Sequence, residues 1–315
     1  MFQASIPRVS VVMPSYNAQA CIGRAIESVL AQTMQQFELI VVDDASTDGT
    51  QALVHAITAK DSRIKHIALS SNRGPAYARN VGIAAARGEW IGLLDADDAW
   101  RTDRLDQLLR TSGTFDAVFD NLVGYDSRSR SDTDVLIPEF HEGELTIARL
   151  LGSVDRTRPY DLGYLKPLIR REFLLKHGLK YNESLRTNED LLLYLELLAR
   201  GGRAHTVNVA AYVYTIPTGA DGSASAFSNT VPRDDELRRA LQGVLQRDAE
   251  RLSVSARHAI AQRIAVLKEV GPLSEFYHAW TRRAYGRMAR LFLLKPAVRH
   301  DVTRKVTRRL LSSMT

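Results

Sequence analysis

Three carboxylates, Asp95, Asp97 and Asp98, crowd into four positions immediately after the apolar run Trp90-Ile91-Gly92-Leu93-Leu94. Ionised carboxylates repel one another and resist leaving water, so such a cluster at the end of a buried strand calls for a cation among them. A hard divalent ion, Mg²⁺ or Mn²⁺, suits them. It takes oxygen ligands, keeps several waters and shares one or two protein carboxylates with substrate phosphates. The alternative is that Asp97 or Asp98 caps a helix that begins near Arg101 and carries Leu105, Leu108 and Leu109. Asp43-Asp44 ends a second apolar run, Phe37 to Val42, and Glu189-Asp190 precedes the apolar stretch Leu191 to Leu198. Acids at a helix start stabilise it by about 0.3 to 1 kcal/mol, so that last pair has a structural reading as well.

The elements that must position these groups alternate in type. Val9 to Pro14, Phe37 to Val42, Ile64 to Leu69 and Trp90 to Leu94 read as short buried strands. Between them, helices are predicted over Ala20 to Gln32, through Leu53, Val54 and Ile57, and over Ala76 to Ala86. Four such alternations imply right-handed crossovers and an α/β fold with a mostly parallel sheet flanked by helices. Ligands of such sheets sit beyond the carboxyl ends of the strands, where this chain carries Pro14-Ser15-Tyr16-Asn17, Asp43-Asp44, Asn72-Arg73-Gly74 and Asp95-Ala96-Asp97-Asp98. All four are expected to face one crevice. Further on, Phe115 to Leu122 reads as a strand and Asp126 to Asp134 as a polar loop. Asp161 to Arg170 reads as a strand-like segment entering a helix over Arg171 to His177, and Val207 to Ile216 as another strand. Thr218 to Ser225 is small and polar, suited to a loop that closes over a ligand. Beyond Pro232, helices are predicted over Asp234 to Leu252, Ser255 to Val270 with Ser255 as its cap, Pro272 to Leu294 and Ala297 to Leu311. This organisation divides into residues 1–110, 111–230 and a helical extension, 231–315.

Composition bounds the function. The chain has 315 residues, 45% hydrophobic and 25% charged, ordinary values for a globular protein with about two domains. Cys21 is the only cysteine, so no internal disulfide forms, and Met1 to Arg8 lacks the pattern of a signal peptide; a cytoplasmic protein is expected. Net charge is +6, but ten basic residues against one acid, Asp301, fall between 276 and 315, which leaves −3 on the rest. A basicity confined to the tail argues against a nucleic-acid-binding core. In the tail, Trp280, Tyr285, Leu291, Phe292, Leu293 and Leu294 alternate with Arg282, Arg283, Arg287 and Arg290, a pattern suited to an anionic membrane surface. Packing of these helices on the body of the protein, or a dimer contact, would use the same residues. Trp90 reads as core, and Trp100 as either core or lining of the crevice.

The segments Val11-Val12-Met13-Pro14-Ser15-Tyr16-Asn17, Val41 to Thr50, Asn72-Arg73-Gly74, Ala78-Arg79-Asn80, Leu94 to Asp98 and Asn188-Glu189-Asp190 together resemble glycosyltransferase family 2. The resemblance spans about Pro7 to Ser225 and implies the GT-A (Rossmann-like) fold. Leu165 to Arg170, with His177-Gly178-Leu179, further resembles succinoglycan-type exopolysaccharide glucosyltransferases. The resemblance implies that Tyr16 lies against a uracil ring, that Asp44 accepts a hydrogen bond from it, and that Arg79 lies near the base or diphosphate. By the same resemblance, Pro14 and Ala96 would belong to the nucleotide-sugar pocket. Asp95 would contact ribose or sugar, and Asp97 and Asp98 would bind Mg²⁺ or Mn²⁺; spacing leaves open which acid is the direct ligand. Asp190 would be the catalytic base, with Glu189 orienting the acceptor or supporting it. Asn188 departs from the pattern, since Gly often stands there. The function so implied is inverting transfer of a sugar, with glucose expected, from a UDP-sugar to a saccharide or lipid-linked saccharide. It would take place in surface polysaccharide assembly at the cytoplasmic face of the inner membrane. A nucleotidyltransferase would share the acidic site but would carry a Gly-rich basic loop after the first strand, which Pro14 to Ala20 lacks. A non-catalytic basic adaptor would leave the acids at 44, 97 and 190 without a role.

Overall fold

The computed structural model describes residues 6–154, 160–185, 187–216, 234–281, 284–296, 298–299 and 301–303. The loop expected over Thr218 to Ser225 and the helix expected over Ala297 to Leu311 fall wholly or largely outside them. The first half follows the predicted alternation: β1 (Val9–Ser15), α1 (Ile22–Leu30), β2 (Phe37–Asp43), α2 (Thr50–Thr58), β3 (Ile64–Ala68), α3 (Pro75–Ala85) and β4 (Trp90–Leu93). Every residue of β1, β2 and β4 is buried, as continuous apolar runs must be when helices cover both faces of a parallel sheet. Ile22, Ala25, Ile26 and Val29 form the buried face of α1 at helical spacing. Helix α3 starts on Pro75, whose missing N–H would be unpaired there anyway. It lies so close to the sheet that a Cβ on Gly82 would come within 2.4 Å of Val12 Cγ1.

The second half comprises β5 (Ala99–Trp100), α4 (Arg104–Thr111), β6 (Ala117–Asp126), β7 (Ser131–Val135), β8 (Gly143–Glu144), α5 (Ile147–Gly152), a 3₁₀ turn at Leu162–Tyr164, β9 (Leu168–Arg170), α6 (Arg171–His177), α7 (Glu189–Ala199) and β10 (Ala204–Thr215). Among the described residues ten strands form one sheet: eight in the order β3-β2-β1-β4-β9-β6-β10-β5, with β7 paired to β6 and β8 to β10. From β3 to β4 the sheet is parallel throughout, as expected. The second half makes it mixed, because β9 runs antiparallel to both β4 and β6, and β5 antiparallel to β10. The order reverses between β1 and β4, and a ligand crevice belongs outside the carboxyl ends at that point. Ser15 pairs with Asp43, and the Leu94 N–H donates to the Val12 carbonyl, so the ends of β1, β2 and β4 lie level at that rim.

Three expectations need correction. Residues 126–134 do not form a plain loop: Ser131–Val135 turns back on β6 as β7. All of β7 is exposed, so no apolar alternation announces it, and its polarity is that of a protected edge strand. The helices expected to part at Pro272 are one, α9 (Val254–Thr281), flanked by α8 (Asp234–Arg247) and α10 (Tyr285–Leu294). The proline removes one backbone hydrogen bond, but α9 packs on α5 and α8 at one end and on α10 at the other, which carries it through. Its cap is Ser253, whose Oγ accepts from the Ala256 N–H, rather than Ser255. No described helix is long and apolar enough to cross a membrane.

Candidate active site

At the β1 and β2 ends, two loops are laced together. The Asn17 N–H donates to Ser46 Oγ, the Thr47 N–H to Asn17 Oδ1, and the Ala18 N–H to Thr50 Oγ1. Tyr16 is half-buried between them, beyond buried Pro14. Asp44, 1% exposed, accepts the backbone N–H groups of Arg73 on Oδ1 (2.8 Å) and Gly74 on Oδ2 (2.7 Å). Gly74 has φ 91°, a left-handed conformation that a side chain would strain, and this turns its N–H onto the carboxylate. Asp44 therefore braces the entrance to α3, and each of its oxygens keeps one further lone pair for a ligand.

The three acids after β4 separate into three environments. Arg79 on α3 donates to Asp95 Oδ1 at 2.6 Å, and Lys166 Nζ lies 3.2 Å from Oδ2. Burial alone would raise the Asp95 carboxyl, but these two cations overcome it and hold the group well below the usual carboxylate range. Asp98, 2% exposed, accepts from the Tyr212 hydroxyl on Oδ2 (2.7 Å) and the Thr215 N–H on Oδ1 (2.8 Å). Burial, with Asp97 and Asp95 nearby, pushes its carboxyl well up. Asp98 ties the acidic turn to β10. Asp97 is anchored through its backbone, with its carbonyl accepting from Arg24 Nη2 (2.6 Å) and from the Thr215 hydroxyl. Its carboxylate takes no hydrogen bond from another described residue, and burial, then Asp95, pushes it up to about 6.

These donors can be tested against a divalent ion. Among the described residues no three His, Cys, Asp or Glu side chains converge to hold one. The unpartnered Asp97 carboxylate, raised by burial beside a second acid, is the group a cation would relieve. A Mg²⁺-type site needs only one or two protein carboxylates when phosphate oxygens and water complete it. Asp97 fits that requirement. Asp98, with both oxygens engaged by β10, is less free to turn.

The acids of α7 are gathered to the same rim. Arg79 Nη1 donates to Glu189 Oε1 at 2.9 Å, and Lys166 Nζ donates to Asp190 Oδ2 at 2.6 Å. The Tyr181 hydroxyl donates to Asp190 Oδ1 at 2.8 Å. Tyr181 is itself held by Asn80, whose side chain accepts the Tyr181 N–H (2.8 Å) and donates to its carbonyl (2.9 Å). Two cations, Arg79 and Lys166, thus bridge Asp95 to Glu189 and Asp190. Trp100 is core: it is 4% exposed and lies 4.6 Å from the Arg104 guanidinium.

Sequence reasoning assigned no role to Lys166, Tyr181 or Tyr212. Lys166 stood within a motif that carried the resemblance, and three acid groups on separate elements signalled that cations were needed. Nothing local marks the two tyrosines. The departure at Asn188 has a conformational explanation, since it adopts φ 61°, ψ 17°, the left-handed region that Gly enters freely and Asn tolerates. Asn188→Ala is expected to cost about 1 kcal/mol and Asn188→Gly to lie within about 0.5 kcal/mol of the parent. Urea melts check this, and equal stability of Ala and Gly variants would contradict it.

The glycosyl transferase family 2 model matches residues 10–167. The chain is 42% identical over 226 residues to the succinoglycan biosynthesis protein ExoO of Rhizobium meliloti (strain 1021), covering 68% of this chain and 62% of ExoO. It is 29% identical over 236 residues to the Escherichia coli UDP-Glc:alpha-D-GlcNAc-diphosphoundecaprenol beta-1,3-glucosyltransferase WfaP, covering 73% of this chain and 85% of WfaP. Among solved structures it is similar to S. aureus TarS 1–349 in complex with UDP-GlcNAc, with TM-score 0.63, 18% identity and 90% of each chain covered. That likeness shows the GT-A fold. On the match of the family model to half of its length, the chain belongs to glycosyl transferase family 2.

Proposed function

We propose that the chain is an inverting, metal-dependent transferase that moves glucose from UDP-glucose to a saccharide carried on a membrane lipid. The observation that carries this reading is the pairing at one rim of an unpartnered carboxylate, Asp97, with a firmly held one, Asp190. Tyr16 would stack on the uracil, Asp44 accept from it with its spare lone pair, and Pro14 and Ala96 border the nucleotide. Asp97 would hold Mg²⁺ or Mn²⁺, with Asp98 keeping the turn in place. A bound ion would neutralise charge on the departing diphosphate. Asp95, fixed by Arg79 and Lys166, would meet the ribose or sugar. Asp190 would take the proton of the acceptor hydroxyl as that oxygen bonds to the anomeric carbon and the bond to UDP breaks, with inversion. Glu189 would keep Arg79 in register. The glucose donor and the lipid-linked acceptor are supported by the relatedness to WfaP.

Calorimetric titration with UDP-glucose, UDP-galactose, UDP-N-acetylglucosamine and UDP, with and without Mn²⁺, tests the reading. The expected result is metal-dependent UDP binding, preference for UDP-glucose, and at least about tenfold weaker metal-dependent binding in Asp97→Asn. Absence of UDP binding at pH 7.5 with Mn²⁺ would overturn it. The pH dependence has a definite sign. A carboxyl raised to about 6 is ionised above that pH and protonated below it, and the metal requires the ionised form. Mn²⁺ affinity is therefore expected to be full above about pH 7 and to fall about tenfold per unit below 6.

The acceptor's location bears on the C-terminal helices. Trp280, Tyr285, Leu293 and Leu294 are all more than half exposed, beside exposed Arg290, Lys295 and Arg299. An apolar and cationic face of this kind suits an anionic bilayer surface, at about 1 kcal/mol per basic residue near lipid. The protein is expected to float with phosphatidylglycerol vesicles at low salt and to be released at 0.5 M salt, about where the Debye length shrinks toward a few Å. Equal behaviour with phosphatidylcholine vesicles would remove the electrostatic component.

A further inference from the structure

Three tyrosines stand together beside the acidic rim without a role so far. Tyr160 lies 5.4 Å from Tyr164 and 5.5 Å from Tyr214, and Tyr164 lies 6.2 Å from Tyr214, all edge to face. None of the three hydroxyls hydrogen-bonds to another described residue, and Tyr164 is 40% exposed. Tyr164 closes the 3₁₀ turn two residues before Lys166, which holds Asp190. Tyr214 precedes Thr215, whose N–H holds Asp98 and whose hydroxyl donates to the Asp97 carbonyl. Both Tyr160 and Tyr214 feel the Asp98 charge. The trio therefore links the segment that carries Lys166, the partner of Asp190, to the strand that holds Asp97 and Asp98. It belongs to the β6–β10 half of the sheet, away from the Tyr16 and Asp44 loops.

Packing alone does not account for this arrangement. None of the three rings is closed core: Tyr164 is exposed and Tyr160 and Tyr214 are half-buried, so aromatic surface reaches the rim together with polar ring tips. Apolar ring surface fringed by hydroxyls matches a pyranose, which offers an apolar face of C–H groups and a rim of hydroxyls. We infer that Tyr160, Tyr164 and Tyr214 form the platform on which a pyranose ring of the acceptor saccharide lies, with Tyr164 as its exposed contact. This rests on the transferase reading above and adds the acceptor subsite to it.

Saturation-transfer NMR on the full chain loaded with UDP and Mg²⁺ tests it, using methyl β-D-glucopyranoside, methyl β-D-galactopyranoside and methyl 2-acetamido-2-deoxy-β-D-glucopyranoside as probes. At least one glycoside is expected to receive saturation at its ring protons. Its affinity is expected to fall about tenfold, or ~1.4 kcal/mol, in Tyr164→Ala and to stay near the parent value in Tyr164→Phe, which keeps the ring. No transfer to any probe in the parent protein, unchanged affinity in Tyr164→Ala, or equal losses in the Ala and Phe variants would overturn the platform. A UDP isotherm recorded on each sample shows that the variant is folded. It also separates the two failures: UDP bound without any glycoside sinks the subsite alone, and no UDP bound by the parent sinks the transferase reading.

Discussion

Asp190→Asn is expected to lower kcat by about 10³-fold while leaving metal-dependent UDP binding in place. The amide has the shape of the carboxylate but cannot take a proton, and general-base contributions run to about 10² to 10⁴. Its carbonyl oxygen still accepts from Tyr181, and Lys166 retains Asp95 at 3.2 Å, so the surrounding geometry has a means of surviving. Glu189→Gln is the matched control. It weakens the contact with Arg79 without touching proton transfer, and a loss of about tenfold or less is expected, shared between KM and kcat. UDP release, followed with any acceptor that the parent protein turns over, gives both numbers. An Asp190→Asn variant within threefold of the parent, or a Glu189→Gln variant that loses more, would move the base elsewhere.

Arg104→Met is expected to destabilise the fold by about 3 to 5 kcal/mol. Arg104 and Asp120 have fully buried side chains, joined by two bonds, Nε to Oδ2 at 2.9 Å and Nη2 to Oδ1 at 2.6 Å. The guanidinium lies 4.6 Å from the Trp100 ring and 5.2 Å from the Tyr212 ring, and Nη2 also donates to the Lys166 carbonyl. Removing the cation strands the Asp120 carboxylate without water, which is where the loss arises. Asp120→Leu is expected to be about as harmful, since it strands the arginine. The double variant is expected to recover a large part of the loss, because replacing both partners of a buried pair with apolar groups can be neutral. Denaturant melts of the full cycle measure the coupling, and single variants that cost less than about 1 kcal/mol would refute it.

The first half of the fold was legible because its strands are parallel and β1, β2 and β4 are covered on both faces, so these three read as mostly apolar runs ending in polar chemistry. The observed ends of β1, β2, β3 and β4 fall within one residue of those expected. The second half was harder for physical reasons. An exposed edge strand such as β7 carries no apolar alternation, and the passage of α9 through Pro272 depends on neighbours far away in sequence. In the site, the acids were visible because three carboxylates in four positions have few structural explanations. What divides them was not. Asp98 is set apart from Asp97 by Tyr212 and Thr215, more than a hundred residues on. Lys166, Tyr181 and the Arg104–Asp120 pair owe their roles to partners that only the folded sheet brings near.

The place of β9 in the sheet has a consequence for how the chain is made. Its three residues, Leu168 to Arg170, lie between β4 and β6, so these two strands are joined by one synthesised after both of them. During translation the four parallel strands can form early, but β4 keeps an open edge until about residue 170 has left the ribosome. Non-local closure of that kind is slow, and an unpaired strand edge invites pairing with other chains. Nascent chains halted before Arg170 are therefore expected to aggregate, and protease resistance is expected only in those that extend through β10, which covers the other edge of β6.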